Sequence, residues 1–120
     1  MKRRLLPVFL AMSFSLCHLA FAEGPAARIG DTTSHGGTIL PPGASTVFIG
    51  GMSAARITDL AICPLVTPPN IPHGTGPIVT GSNTVFIEGL GAARVGDTVA
   101  EPGGPPSIIA TGETTVIIGD

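Results

Sequence analysis

The sequence predicts an all-β domain in which three similar β-hairpin units close around an approximate threefold axis. Three observations point there. One motif recurs as AARIGD (26–31), AARITD (54–59) and AARVGD (92–97), and a second as STVFIGG (45–51), NTVFIEG (83–89) and TTVIIGD (114–120). The short runs are rich in Thr, Val and Ile and bounded by Gly and Pro, which is strand chemistry, and no helical period appears after residue 22. Finally, the chain begins with a return strand and ends with an outgoing one. Pairing these ends makes a third hairpin from two halves that would otherwise leave open sheet edges.

Residues 1–22 read as a secretory signal-like segment that precedes the domain at 23–120. Lys2, Arg3 and Arg4 are basic, Leu5 to Leu19 is apolar, and Ala20-Phe21-Ala22 is a small-x-small cleavage site. The apolar run is short for a membrane span, and Pro7, Ser13, Ser15 and His18 interrupt it. Then GPAARIGD supplies the orphan return strand. TVFIGGMSAARI and TVFIEGLGAARV each turn back at a dipeptide ending in Gly, which suits a tight hairpin where positive φ is needed. A further short run precedes each outgoing strand: GGTIL (36–40), GPIVTG (76–81) and PSIIATG (106–112). The connections are unequal: 31–37 and 97–105 are short, while 59–76 is expected to be a long loop. Function is expected at the end where these loops break the symmetry.

Composition removes several function classes. After residue 22 there are three basic residues, Arg28, Arg56 and Arg94, against eight acidic ones, a net charge of −5 with no Lys. Nucleic-acid binding needs clustered Lys and Arg, and attraction to anionic lipid does too, so neither is expected. The three Arg and the three Asp (Asp31, Asp59, Asp97) stand three apart. On an extended strand they would face opposite sides, so they are expected to bind loop backbone or a neighbouring unit rather than each other. Only Phe48 and Phe86 are aromatic beyond residue 22, and Cys63 is the one cysteine there, so no disulfide can form within that part. A core this thin calls for another constraint, such as a metal.

Every Cys and His after residue 22, namely His35, Cys63 and His73, lies in two loops at one end of the predicted body. Thiolate and imidazole are ligands that zinc selects, usually four at a time. The fourth position is open to water, Asp59 or another side chain. Three protein ligands plus water is also a catalytic zinc arrangement, but that requires a nearby general base. The only Glu near these loops, Glu101, lies in a different loop with no pairing to a His, and the chain is not expected to be an enzyme.

The repeated Ala-Ala-Arg followed by Asp resembles the PAAR-repeat proteins, named for Pro-Ala-Ala-Arg. Pro25-Ala26-Ala27-Arg28 is the full form, while Ala54-Ala55-Arg56 and Ala92-Ala93-Arg94 follow Ser53 and Gly91. The resemblance covers 24–120 and implies a small cone-shaped fold that carries zinc at its point. It implies a structural role, with the broad base capping the trimeric valine-glycine-repeat spike of a type VI secretion system and effector proteins attached to it. The family's zinc ligands are three His and one Cys, and His35, Cys63 and His73 match three of them. Ala61 stands at the remaining His position. The other reading of the chain is an exported, periplasmic zinc-binding β-domain that acts without a spike. The signal-like segment implies secretion or a periplasmic location, whereas a spike tip implies cytoplasmic assembly followed by delivery outside the cell. The domain alone is expected to be monomeric.

Overall fold

A computed structural model describes residues 23–120; the signal-like segment at 1–22 lies outside the described residues. These residues are all β, with no helix among them. The strands are β1 (Gly24–Ala26), β2 (Thr38–Ile39), β3 (Phe48–Ile49), β4 (Met52–Ser53), β5 (Leu60–Thr67), β6 (Ile71–Pro77), β7 (Phe86–Ile87), β8 (Leu90–Gly91), β9 (Thr98–Val99), β10 (Ser107–Ile108) and β11 (Glu113–Ile118). β3 pairs with β4 and β7 with β8, each through a turn with two left-handed residues: Gly50 and Gly51 (φ 59° and 86°), then Glu88 and Gly89 (φ 53° and 83°). Both central positions left-handed is the turn whose twist matches a two-residue hairpin. The third hairpin comes from the chain ends: β1 pairs antiparallel with β11, Gly24 opposite Ile118 and Pro25 opposite Ile117.

The threefold is carried by the motif alanines. Ala55 N donates to Ala27 O, Ala93 N to Ala55 O and Ala27 N to Ala93 O, each at 3.0 Å, so one hydrogen bond per unit closes a ring. Around this ring lie two apolar layers. One contains Ala27, Ala55 and Ala93 with Ile39, Ile78 and Ile109, one isoleucine from each unit. The other contains Ala26, Ala54 and Ala92 with Ile49, Ile87 and Ile118. All six alanines are essentially inaccessible. Three backbones meeting at one axis leave room for a methyl group and little more, which is why the motif repeats Ala-Ala.

The motif Arg and Asp pair directly, against the sequence expectation. Arg28 reaches Asp31, Arg56 reaches Asp59 and Arg94 reaches Asp97, with Nε–Oδ2 distances of 3.2, 3.2 and 3.0 Å, and the same carboxylates accept the Arg backbone N–H. The chain is not extended there. The residue before each Asp is left-handed (Gly30 φ 93°, Thr58 φ 82°, Gly96 φ 99°), and this bend brings the Asp back beneath the Arg. Each guanidinium also reaches a hairpin-turn region: Arg56 to Glu88 Oε1 at 2.8 Å, Arg94 to the Gly119 carbonyl at 2.9 Å, and Arg28 to Glu113 Oε1 at 3.0 Å.

The three hairpins form a triangular ring. Glu88, at the turn of β7–β8, accepts from Thr46 N at 2.7 Å, just before β3, and Thr84 before β7 donates to the Asp120 carbonyl beyond β11. Ile49, Ile87 and Ile118 point into the core from this ring. Their neighbours Phe48, Phe86 and Ile117 are 61%, 60% and 55% exposed, so the outer face of the ring is apolar at three equivalent points.

The stretch 59–76, expected as a loop, is mostly a hairpin. β5 and β6 pair from Leu60–Pro77 to Thr67–Ile71, and β2 joins β5 with Ile39 opposite Ala61. Leu60, Ile62 and Val66 are exposed on it while Ala61 and Cys63 are buried. Proline density hides this hairpin in the sequence, although the prolines of β6, Pro72 and Pro77, stand at exposed positions.

Candidate metal centre

Beyond each motif Asp the chain runs toward one end of the body. Thr33, Ala61 and Val99, each two residues after its Asp, are buried against the first apolar layer or beside it. Two residues further come His35, Cys63 and Glu101, each four residues past the motif Asp of its own unit. They occupy one threefold-equivalent position with three different ligand-bearing side chains. His73, from β6 of the inserted hairpin, joins them. One ligand atom from each of these four residues lies within 4.8 Å of all the others.

The contacts are short. Glu101 Oε1 is 2.8 Å from His35 Nδ1 and 2.8 Å from His73 Nδ1. Cys63 Sγ is 3.5 Å from His73 Nδ1 and 3.9 Å from His35 Nδ1. Cys63, His73 and Glu101 are buried, and His35 is half-buried. The structure thus brings His35, Cys63 and His73 together and adds Glu101, which sequence reasoning had set apart from any His. Asp59, considered above for the fourth position, is engaged with Arg56 instead. Ala61 lies in the apolar layer at 2% exposure, so an imidazole at that position would have to displace core packing.

A signal for Glu101 was present in the sequence. DLAICP (59–64) and DTVAEP (97–102) align from the motif Asp onward, and both place a ligand-type residue before Pro; DTTSH (31–35) ends on His at the same step. Weighing Glu101 only as a general base in a separate loop hid this, although zinc also accepts carboxylate.

Electrostatics distinguish the two anionic groups. Burial alone would raise the Glu101 carboxyl, but its polar contacts with His35, Cys63 and His73 outweigh it and hold the pKa down at about 2. Cys63 goes the other way: burial pushes its thiol up, the Leu65 N–H opposes this, and the nearby Glu101 adds to the rise. Without a cation the sulfur therefore stays protonated, which argues against a reactive nucleophile. A divalent ion would reverse that balance by supplying the missing positive charge. Two imidazoles, one thiolate and one carboxylate form a fully protein-supplied four-donor set, as structural sites for zinc have.

Comparison with protein families gives a direct result. A family model described as PAAR motif matches residues 29–100 and 70–120. The chain belongs to the PAAR-motif family. A comparison with curated proteins found no match. Within a PAAR-motif chain the six buried alanines, the three Arg–Asp pairs and the hydrogen-bonded ring are the frame, and the four converging side chains are what this frame positions.

Proposed function

We propose that this PAAR-motif chain is a non-enzymatic, zinc-binding tip that caps the trimeric valine-glycine-repeat spike of a type VI secretion system. The observation that carries the proposal is the unlikeness of its two ends. One end gathers four ligand side chains from all three units. The other is a ring of three hairpins whose outer face repeats Phe48, Phe86 and Ile117 about the threefold. A trimeric partner presents its own residues three times, so it can meet all three apolar points at once. Exposed apolar residues repeated on one face are the mark of a binding surface. With few charges on the chain, this docking depends little on salt. Effector proteins would attach away from that face.

Two measurements test the proposal. Purified protein is expected to hold about one zinc per chain, the number that one four-donor site implies. Phe48→Asp with Phe86→Asp is expected to abolish co-purification with the trimeric spike protein while leaving the zinc content unchanged. Retention of the complex by that double variant would refute the docking face.

The signal-like residues 1–22 support a second reading, an exported periplasmic zinc-binding domain that never meets a spike. Mass measurement of the N-terminus from cells separates the two. A chain cleaved after Ala22, found in the periplasm without a spike partner, would establish the second.

A further inference from the structure

We propose that Thr67 is a positioning residue that turns the bare Nδ1 of His73 toward the ligand cluster by fixing the ring's tautomer. This rests on the metal reading above. Thr67 ends β5, and its Oγ1 lies 3.0 Å from the Gly103 carbonyl oxygen and 2.9 Å from His73 Nε2. A carbonyl can only accept, so the single hydroxyl proton goes to Gly103. The hydroxyl can then only accept from the imidazole, and Nε2 must carry the hydrogen. In a neutral ring this leaves a lone pair at Nδ1, the atom 2.8 Å from Glu101 Oε1 and 3.5 Å from Cys63 Sγ. Two lone pairs facing each other at that separation repel unless a cation lies between them. The tautomer that Thr67 imposes is therefore the one a metal ion needs.

The surroundings hold the same orientation. Gly103 N donates to the His73 carbonyl at 3.2 Å, so the loop of the third unit is bonded to the histidine's backbone as well as to Thr67. Gly104 lies flat against the imidazole, where a Cβ would overlap Nε2, Cδ2 and Cε1. A ring flip would put Cε1 where Nε2 stands and break the Thr67 bond inside a space with no slack. Thr67 thereby joins the inserted hairpin of the second unit to the third unit's loop at the nitrogen opposite the ligand atom. Partners of this kind fix tautomer and ring orientation in metal sites, and their loss typically costs 10–100-fold in affinity.

The test uses the full chain labelled with ¹⁵N, with zinc added. The ring-nitrogen resonances of His73 are expected to show a hydrogen on Nε2 and none on Nδ1. Thr67→Val is expected to mix the two tautomers and to weaken zinc binding by about 10–100-fold, and Thr67→Ser to restore both. His73 protonated at Nδ1 in the wild type would overturn the proposal. So would Thr67→Val with wild-type tautomer and wild-type zinc affinity. If Thr67→Val does not fold, the wild-type ring spectrum decides alone. A wild type that shows the Nε2–H tautomer yet binds no zinc overturns the metal reading and leaves the Thr67 clamp standing, so the two failures are distinguishable.

Discussion

At the alanine ring, three units place the same atoms in the same contacts: Ala27, Ala55 and Ala93 each donate and each accept one 3.0 Å hydrogen bond. Four residues past each motif Asp, the equivalent positions hold a His, a Cys and a Glu. Both regions use the same frame, and the difference between them shows what the frame is for. At the axis, symmetry solves a packing problem, since only a methyl fits and it fits three times. At the end that gathers His35, Cys63 and Glu101, symmetry aims three segments of the chain at one point, and identical side chains would not serve there. Three Glu would repel, and three Cys would each carry a raised pKa. One imidazole, one thiolate and one carboxylate, with His73 from an insertion in a single unit, give a mixed donor set near charge balance with a divalent ion.

The most damaging way to break this comparison is at the axis. Ala55→Leu adds three carbons where Ala55 is 0% exposed and its backbone is bonded to two neighbouring strands. Overpacking typically costs 1–3 kcal/mol, and here no strand can shift without opening the ring, so a loss of about 3 kcal/mol or more is expected. Urea unfolding measures it. Ile78→Val, which removes one methyl from the adjacent layer, is expected to cost only about 1 kcal/mol. Equal costs for the two would mean that the axis is no tighter than the rest of the core.

Next in size is the end that gathers the four ligand-type side chains. Glu101→Gln keeps the shape of the side chain but removes the negative charge and one anionic donor. Zinc affinity is expected to fall by more than the roughly 100-fold that loss of a supporting partner can cost. The melting temperature of zinc-loaded protein should drop toward that of the chelator-treated wild type. Asp59→Asn should leave zinc affinity unchanged, because that carboxylate is held by Arg56. The reverse pattern would place Asp59 in the site.

These two regions were not equally legible in the sequence. The repeat, the strand chemistry and the split hairpin can all be read from AAR-x-x-D and TVFI, because each depends on local pattern and on turns that need Gly. The chain-end pairing of Gly24 with Ile118 follows from counting half hairpins. Pairing of Arg with Asp three residues away was not legible, because a straight-strand assumption placed them on opposite faces. The left-handed residue at 30, 58 and 96 bends the chain between them, and Thr58 disguises that bend by standing where the other units have Gly. Glu101 was missed for a related reason. Its place is set by equivalence across units rather than by nearness in sequence, and the equivalence is visible only once the three motif Asp residues are superimposed.

Thr58 offers a smaller test of that equivalence. Gly30 and Gly96 adopt φ near 93° and 99° without penalty, whereas Thr58 holds φ 82° with a branched side chain. A β-branched residue there is a steric outlier, costing roughly 1–2 kcal/mol, and glycine returns part of this through its freer unfolded chain. Thr58→Gly is expected to raise stability by about 0.5–1 kcal/mol with zinc content unchanged. Gly96→Thr should lower it by a similar amount. A neutral Thr58→Gly would show that the second unit has relaxed around its threonine and is no longer equivalent to the other two.

The smallest expected effect lies at the hairpin ring, where the units touch through carboxylates. Glu88 accepts from Thr46 N and Thr46 Oγ1 and pairs with Arg56, and these hydrogen bonds, Thr46 first, lower its pKa from the usual 4.5. Its folded pKa lies below its unfolded value. The stabilisation is therefore fully present above about pH 4.5 and is lost as the pH falls through the lower folded value. Glu113, which binds Thr115 and Arg28, shifts in the same direction for the same kind of reason. Both groups are solvent-facing, where screening keeps such contributions small. Hydrogen exchange at β3–β4 and β7–β8 is expected to quicken on acidification below pH 4.5, earlier than at the alanine ring. Glu88→Gln should flatten that dependence for β7–β8 and leave the ring amides of Ala27, Ala55 and Ala93 protected. Simultaneous loss of protection at both places would mean that the carboxylate contacts are part of the threefold core, and that the base opens only when the axis does.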